Sequence, residues 1–471
     1  MTIRDRACLS LLALAACGAP QGLPDEVLTV EAPAAFGRAG EGPALDASPW
    51  WRTFGSSSLD EAVDATLAGS LELQQAWARL AQAEASAAAA GAARIPSIDI
   101  SGSVTRLEID QRGGGGPGLP VRVGEVYSLG PSLSYEVDLF GRIGATADAA
   151  RFAAAATEAD ARATALALTG RAADAWFVAV ENAALERLVL EQLRTGEQLV
   201  AVTRARFENG SGSAIDVLQQ QRQVEATRAE LPLLRGAGER ALNQLAVLTG
   251  RPPQEASFEA PGALPALPPL PELDVPGALL ARRPDLNAAF QRLAVADRDL
   301  AAAVAARSPR LALSASYNFD AAALADLFDR TISVLTASLV APVVDGGQRR
   351  AEVERARAVI EERTLALSQA FLVALQEVED ALSVEARAVE RVTALGVQRR
   401  LATEEVEQAR RRYVGGVDTY LPVLAAVTNL QALDRQLVQE RAAALRARAQ
   451  LLRALGGAWQ EPAETDAPDT P

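Results

Sequence analysis

Side chains that carry acid–base, nucleophilic or metal chemistry are scarce in this 471-residue chain. It has no histidine and two cysteines, Cys8 and Cys17, so a zinc site or a histidine-based catalytic dyad is nearly excluded. Carboxylates cluster at Glu377, Glu379 and Asp380, but they lie on an arginine-rich helical stretch. Such a pattern indicates a solvated helix face with ion-pair partners one turn away. The sequence therefore predicts neither an enzyme nor a bound cofactor or metal.

The charge and composition of the chain argue against nucleic acid and soft metal ions as partners. Its formal net charge is −14, and all 46 basic residues are arginine. A nucleic-acid-binding surface needs a continuous basic stripe that neutralises phosphates, and this chain offers none, so we predict no nucleic-acid partner. One methionine and no histidine also disfavour a relay for soft metal ions.

The N-terminus has the pattern of a secretory signal over residues 1–16, with two arginines followed by a short apolar run. That run is too short to cross a bilayer as a helix. It ends in Leu14-Ala15-Ala16-Cys17, which resembles a bacterial lipobox, in which the cysteine is lipidated and becomes the first mature residue. We expect Cys17 to anchor the chain in outer-membrane lipid, and Gly18 is compatible with that sorting. An ordinary signal peptide followed by a chance cysteine is the alternative.

The rest of the chain contains two copies of one unit. Arg206–Gly210 recurs 206 positions later as Arg412–Gly416, and Leu245–Gly250 recurs at the same offset as Leu451–Gly456. Earlier motifs are offset by 213 positions, and the glycine-rich loop 113–118 accounts for the difference. A tandem repeat of about 200 residues means that the fold has to be predicted from the unit.

Each copy predicts a helix, two strands, a long helix, a turn and a returning helix. The first helices, Leu59–Gly91 and Leu279–Ala306, stop before a proline, which cannot continue a helix. Apolar and polar residues then alternate with the period of two that a strand requires. The predicted strands are Ile98–Thr105, Val126–Val137, Leu311–Phe319 and Ile332–Val343.

The return strands are about a dozen residues long, above the usual ~5–6 and close to the ~9–11 that cross a bilayer obliquely. Aromatic residues near strand ends, such as Tyr127 and Tyr317, suit a membrane interface. A soluble sandwich is the alternative. Because four strands cannot close a barrel, a membrane-spanning sheet requires an oligomer.

Two proline-free stretches, 145–205 and 349–411, predict helices of ~90 Å at 1.5 Å per residue. Each meets a glycine-containing turn and returns through a second helix, Ile215–Thr249 or Leu421–Leu455, which makes two antiparallel helical hairpins. Heptad spacing predicts a coiled-coil seam on the second long helix. Its members are Phe371, Leu375, Val378, Leu382, Val389 and Val392, with Glu385 as a polar interruption.

Six motifs, in order between residues 50 and 459, resemble those of one family. It is that of the TolC-like outer-membrane factors, and within it the NodT/OprM-type lipoproteins that serve RND efflux pumps. The motifs are Trp50–Phe54 with Leu59-Asp60, Tyr135–Arg142, Arg282–Leu286, Pro342–Gly347, Gly416–Leu421 and Ala454–Trp459.

The resemblance implies a mixed α/β membrane protein in the cell outer membrane. Four strands from each of three identical protomers would form a 12-stranded β-barrel, above a periplasmic α-helical barrel of coiled-coil hairpins. Its implied partners are a periplasmic adaptor protein and an inner-membrane RND transporter, which supplies the energy. The implied divisions are a signal peptide 1–16, a lipidated equatorial segment 17–58, repeats 59–250 and 277–457, a proline-rich equatorial linker 251–276, and a tail 458–471.

The family's gate lies at the hairpin tips, and three copies of Asp418 around an axis would form an anionic ring. One departure is Ala425-Ala426-Val427 where relatives often have Asp-Ala-Gln, so ion selectivity stays open. Type I protein secretion and metal-ion efflux by the same fold remain alternatives, and the transported compound is set by the pump. The matching tip positions are Arg412, Tyr413, Gly416, Asp418 and Tyr420, with Glu208, Asn209 and Asp216 on the first hairpin.

Overall fold

The computed structural model describes residues 28–38, 40, 42, 48–109, 122–255 and 258–457. The predicted signal peptide, the predicted lipidation site Cys17, the loop 113–118 and the tail 458–471 lie outside these residues. None of the helices in the described ranges combines the length and apolarity needed to span a bilayer.

The same order of elements occurs twice. A 3-10 turn, Trp50–Phe54, precedes the first copy, and residues 249–255 and 258–275, between the copies, have little regular structure. The first copy consists of α1 (Ser57–Gly69), α2 (Leu71–Ala92), β1 (Ser97–Ile109), β2 (Arg122–Val137), α3 (Arg142–Glu208), α4 (Ala214–Arg228) and α5 (Glu230–Leu248). The second consists of α6 (Leu279–Arg282), α7 (Pro284–Ala305), β3 (Arg310–Ala321), β4 (Thr331–Val340), α8 (Gln348–Val414) and α9 (Leu421–Ala454).

The prediction of one continuous helix at the start of each copy was wrong. Ser70 is extended (φ −63°, ψ 119°), and its hydroxyl accepts the Leu73 N–H at 3.4 Å, which caps α2. In the second copy Arg283 is extended because Pro284 disfavours the α region for the preceding residue. The two breaks lie 213 positions apart, so the repeated unit contains a built-in kink.

Both long helices are confirmed, since α3 and α8 each run for 67 residues. The returning helix of the first copy is not continuous as predicted, because the chain starts a new helix after Ala229. Pro232 then lies in the first turn of α5, where a missing N–H is tolerated. The returning helix of the second copy, α9, is unbroken over 34 residues.

All four strands form one antiparallel sheet in the order β1-β2-β3-β4. One face carries cross-strand rows of apolar side chains, and the opposite face carries serine and threonine, as the alternation predicts. Examples are the row Ile98, Leu133, Ala315, Leu335 on the first face and the row Ser97, Ser134, Ser314, Thr336 on the second. Strand β4 ends at Val340, earlier than predicted.

The chain divides into two compact units. One comprises 79–158 and 288–367 and contains the sheet. In it an arginine joins the two helices that flank each strand pair: Arg94 contacts Asp148 at 2.6 Å, and Arg349 donates to the Ala306 carbonyl at 3.0 Å. The other unit comprises the described parts of 1–78, 159–287 and 368–471, and contains both helical turns.

The helical unit has an aromatic core supplied by the Trp-Trp motif. Trp50, Trp51 and Phe54 are buried with Trp176 and Phe177 of α3, and the neighbouring rings pack edge to face. The Trp50 indole N–H donates to the Thr169 hydroxyl at 3.2 Å, which satisfies the buried donor.

A second buried cluster surrounds α8, and its members differ in part from those of the predicted coiled-coil seam. Phe371, Val378 and Leu382 are buried as predicted, but Val389 is 37% exposed. Alanines 374, 381 and 388 take the intervening buried positions, so the seam follows small residues that the prediction passed over. Residues of the N-terminal segment and the linker pack on this cluster, and the Gly42 N–H donates to the Leu270 carbonyl at 2.7 Å.

Candidate functional site at the two hairpin turns

The two hairpins turn through the same backbone motif. At each turn a glycine lies in the left-handed region, Gly210 at φ +71° and Gly416 at φ +72°, where a side chain would be strained. Gly210 N and Ser211 N donate back into α3, and Gly416 N and Val417 N donate back into α8, in the Schellman pattern. The predicted site residue Gly416 thus has a conformational role, which Gly210 shares.

The returning helices begin differently after these turns. In the first hairpin the Ser213 hydroxyl accepts the Ile215 N–H at 3.2 Å, and the Asp216 carboxylate accepts the Ser213 N–H at 3.3 Å, which is a capping box. In the second hairpin Pro422 occupies the position equivalent to Asp216, and no side chain caps α9. The structure therefore uses the predicted site residue Asp216 to start α4.

The charged residues of the second turn pair with each other. Arg412 Nε lies 2.5 Å from Asp418 Oδ2, so the ion pair crosses the turn within one chain. The side chains are 57% and 36% exposed, which limits the contribution of the pair to about 0.2–1 kcal/mol.

Both predicted tyrosines are buried, and one of them joins the two hairpins. The Tyr420 hydroxyl donates to Gln220 Oε1 of α4 at 2.6 Å, and Gln220 Nε2 donates to the Gly196 carbonyl of α3 at 3.1 Å. Burial, and then the neighbouring Tyr413, raise the pKa of Tyr420 to about 12. The hydroxyl therefore stays protonated and able to donate throughout the neutral range.

Tyr413 packs against Tyr420 at 5.3 Å between ring centroids, and Arg206 Cζ lies 4.4 Å from the Tyr413 centroid. This cation–π contact brings an arginine of the first turn onto the second. The Tyr413 hydroxyl is buried and has no hydrogen-bond partner in the described part of the chain. Burial raises its pKa.

The sequence prediction missed Arg206 and Gln220. Arg206 was detectable as the repeat equivalent of Arg412, but nothing in the pattern around Gln220 indicated that it would meet Tyr420, 200 positions away. The predicted Glu208 and Asn209 are exposed at the end of α3. Ala425 is also exposed.

Both turns expose apolar side chains, which we call the apolar rim. Its members are between 47% and 73% exposed, and such patches mark interaction surfaces. The rim comprises Phe207, Ile215 and Leu218 on the first hairpin and Val414, Val417 and Leu421 on the second. No group of three or more metal-ligating side chains occurs within the described ranges.

Comparison with known families decides the relationship. Residues 62–251 and 275–457 match the model of the outer membrane efflux protein family. The chain belongs to this family. It is 32% identical over 480 residues to the pyoverdine export outer membrane protein OpmQ of Pseudomonas putida, a match that covers 99% of this chain and 100% of the relative. It is 31% identical over 430 residues to the outer membrane protein OprJ of Pseudomonas aeruginosa, covering 89% of this chain and 88% of the relative.

Solved structures agree. The outer-membrane channel OprN superposes with a TM-score of 0.84 at 29% identity, covering 94% of this chain and 99% of that chain. The outer membrane protein VceC of Vibrio cholerae superposes with a TM-score of 0.79 at 27% identity, covering 87% of this chain and 99% of that chain. The predicted TolC-like fold and family are confirmed. The chain is an outer-membrane channel protein that provides the exit duct of an efflux system.

Proposed function

We propose that this protein is the passive outer-membrane duct of an RND-type tripartite pump. Three copies would close the four-stranded sheets into a 12-stranded barrel and the hairpins into a helical barrel. The apolar rim supports the partner assignment. It lies on both turns of the helical unit, and no described residue of the chain covers it. A periplasmic adaptor protein is the partner that this rim fits, with the inner-membrane RND transporter held by the adaptor.

The cargo that we propose is a small molecule, released after the pump has selected it. The OpmQ relatives are named for pyoverdine export, and others at 27–28% identity are named for efflux of solvents, toluene and antibiotics. Relatives with the same duct thus carry unlike compounds, which supports a duct without its own selection. The alternatives are type I protein secretion and metal-ion efflux through the same fold.

The resting gate that we propose is held by contacts of the second turn. Tyr420 bonded to Gln220, Tyr413 under Arg206, and Arg412 paired with Asp418 all restrain the tip of α8 and α9. The exposed Glu208 and Asn209 would lie at the tip beside them. In a trimer three Asp418 carboxylates would add an anionic ring, which favours cations at a constriction.

We further propose lipidation at Cys17 and retain the proposed divisions, with repeats over 59–250 and 277–457 and equatorial segments over 17–58 and 251–276. Metabolic labelling with a palmitate analogue tests the anchor. We expect label in the full chain and none in the Cys17→Ser variant. Label that persists in the variant would contradict lipidation at this position.

The partner assignment is tested by in-cell photo-crosslinking from a probe at Thr419, which is exposed between Asp418 and Tyr420. A probe at Leu335, which is 84% exposed on the sheet, is the matched control. We expect Thr419 to capture an adaptor that co-purifies with an RND transporter, and Leu335 to capture neither. Capture of an adaptor linked to an ABC transporter would move the function to protein export. Absence of any adaptor from Thr419 would contradict the docking of the tip.

A further inference from the structure

A cavity of about 260 Å³, which we call the arginine cavity, lies among α3, α5 and α9 of the helical unit. Three guanidinium groups line it, those of Arg171, Arg446 and Arg453, against one carboxylate, that of Asp174. A guanidinium presents a planar set of N–H donors that matches the two oxygens of a carboxylate. The arginine cavity therefore has the chemistry of a site for carboxylates.

Two of the three arginines already have carboxylate partners. Arg171 binds Glu72 of α2 at 2.6 Å, and Arg446 binds Glu181 of α3 at 3.2 Å. Arg453 forms no ion pair with any residue that the structure describes. The guanidinium of Arg453 is thus the one that needs a counter-charge.

The lining of the arginine cavity comes from one chain. Ion pairs join α5 to α3, α3 to α9 and α9 to α8, so α5 and α8 are the outer two of these helices. Arg235 of α5 binds Glu186 of α3 at 2.7 Å. Arg448 of α9 binds Glu385 of α8 through hydrogen bonds of 2.7 and 2.6 Å, and this pair is buried, at 3% and 2% exposed. In the proposed helical barrel the next copies would adjoin α5 and α8, whereas the cavity is centred on α3 and α9.

The chain leaves the helical unit beside the arginine cavity. Arg453 is in the last turn of α9, and its stem crosses α3 at Gly170, where an added Cβ would lie 2.7 Å from Arg453 Cδ. Gly457, four residues further on, packs on Trp50, since a Cβ there would lie 2.7 Å from Trp50 Cδ1. The Trp50 indole in turn bonds to Thr169, the neighbour of Gly170. The segment that follows Gly457 therefore starts next to the cavity.

We propose that the acidic segment 458–471 docks in the arginine cavity of its own chain and ties the end of α9 to α3. The segment carries carboxylates at positions 461, 464, 466 and 469 and no arginine, which complements the cavity. An extended chain spans ~3.3–3.6 Å per residue, so a carboxylate at position 461 is within reach of Arg453. Prolines at 462 and 468 restrict the undocked segment and so lower the entropy cost of docking. This docking is independent of the duct function proposed above.

Photo-crosslinking of the purified full chain in nanodiscs, from a probe at Gln450 in the lining of the arginine cavity, tests the docking. We expect the probe to capture peptides of 458–471, in a product that keeps the mass of one chain on a denaturing gel. Arg453→Met should reduce this capture about tenfold, which is the effect of losing one hydrogen bond to a charged group. The matched control is Arg441→Met, an arginine of α9 outside the lining, which should leave the capture unchanged.

Three outcomes would overturn the docking. A product with the mass of two chains would show that a second copy occupies the arginine cavity. Absence of peptides from 458–471 would show that the segment lies elsewhere. Equal capture in Arg453→Met and Arg441→Met would show that the segment is not held by its charge. Failure of the duct function would appear separately, as a missing adaptor in the Thr419 crosslinking experiment.

Discussion

The two hairpins carry the same turn, yet their polar side chains are distributed differently. The positions equivalent to Glu385 and Arg448 in the first hairpin are Ala179 and Leu242, so the buried ion pair exists only in the second. Phe207 is 47% exposed, while its equivalent Tyr413 is 8% exposed. The first hairpin supplies Arg206 and Gln220 as partners for the aromatic residues of the second. The two hairpins therefore share a backbone but differ in role. The first supplies partner side chains, and the second is restrained by them.

The largest effect is expected from replacing Glu385, one member of the buried ion pair of the second hairpin, by an apolar residue. Glu385→Leu leaves the buried Arg448 without a counter-charge, and we expect a loss of about 3–5 kcal/mol in the free energy of unfolding. The double variant Glu385→Leu/Arg448→Met should recover most of that loss. Guanidinium unfolding followed by tryptophan fluorescence measures both, since three tryptophans lie in the core. A single variant as stable as the double variant would contradict the buried pairing.

The next effect concerns the bond that joins the hairpins. Tyr420→Phe leaves the buried Gln220 Oε1 without its donor, and we expect a loss of about 1–3 kcal/mol in the same unfolding measurement. Tyr413→Phe is the matched control, because the Tyr413 hydroxyl has no hydrogen-bond partner among the described residues, and it should change little. Similar losses from the two variants would show that ring packing, not the hydrogen bond, joins the hairpins.

The raised pKa of Tyr420 predicts that the stability of the fold depends on pH. Its pKa is about 12 in the folded chain against 10.0 ordinarily, so between these values the unfolded chain has released a proton that the folded chain retains. Stability is then fully present below pH 10 and falls as the pH rises towards 12. Tyr420→Phe should reduce this alkaline loss of stability. An unchanged pH profile would contradict the burial of the hydroxyl.

The two turn glycines should respond alike to substitution, because their backbone conformations are alike. Gly210→Ala and Gly416→Ala each place a Cβ in the left-handed region, and we expect each to lower the free energy of unfolding by about 1–2 kcal/mol. Thermal unfolding of the two variants side by side measures the difference. A large effect in one turn and none in the other would show that only one turn is rigid.

The smallest effect is expected from the exposed pair of the second turn. Arg412→Ala should cost about 0.2–1 kcal/mol at low salt, and the difference from the wild type should shrink in 1 M salt, where the screening length is about 3 Å. Asp418→Asn should behave in the same way. A larger, salt-independent loss would mean that Arg412 has a buried role.

Much of this architecture was predictable because it depends on local rules. The long helices follow from the absence of proline, the sheet faces from alternation, and the turn glycines from the repeat. The helix breaks at Ser70 and Ala229 were missed because they depend on capping and on where a proline falls within the first turn. The seam was misjudged because alanines contribute to it without raising the apolar signal.

The sequence predicted the location of the candidate site better than it predicted which of its side chains are buried and what they contact. Sequence repetition found the two turns, and family resemblance found Tyr413, Tyr420 and Asp418. Which of these residues are buried depends on the packing of α3 and α4 against α9, because Gln220 reaches Tyr420 across the fold. Asp216 caps a helix, a role that its spacing from Ser213 already permitted, and its place at a gate stays a prediction.

The gate at the second turn is tested most directly by the single-channel conductance of the purified full chain in planar bilayers. The wild type is compared with Tyr420→Phe/Arg412→Ala, with Tyr413→Phe as control. We expect a channel in every sample, with low conductance in the wild type and the control, and a higher, longer-lived open state when the turn contacts are removed. Equal conductance in all three would contradict a gate at the second turn, and no conductance in any would contradict the duct itself.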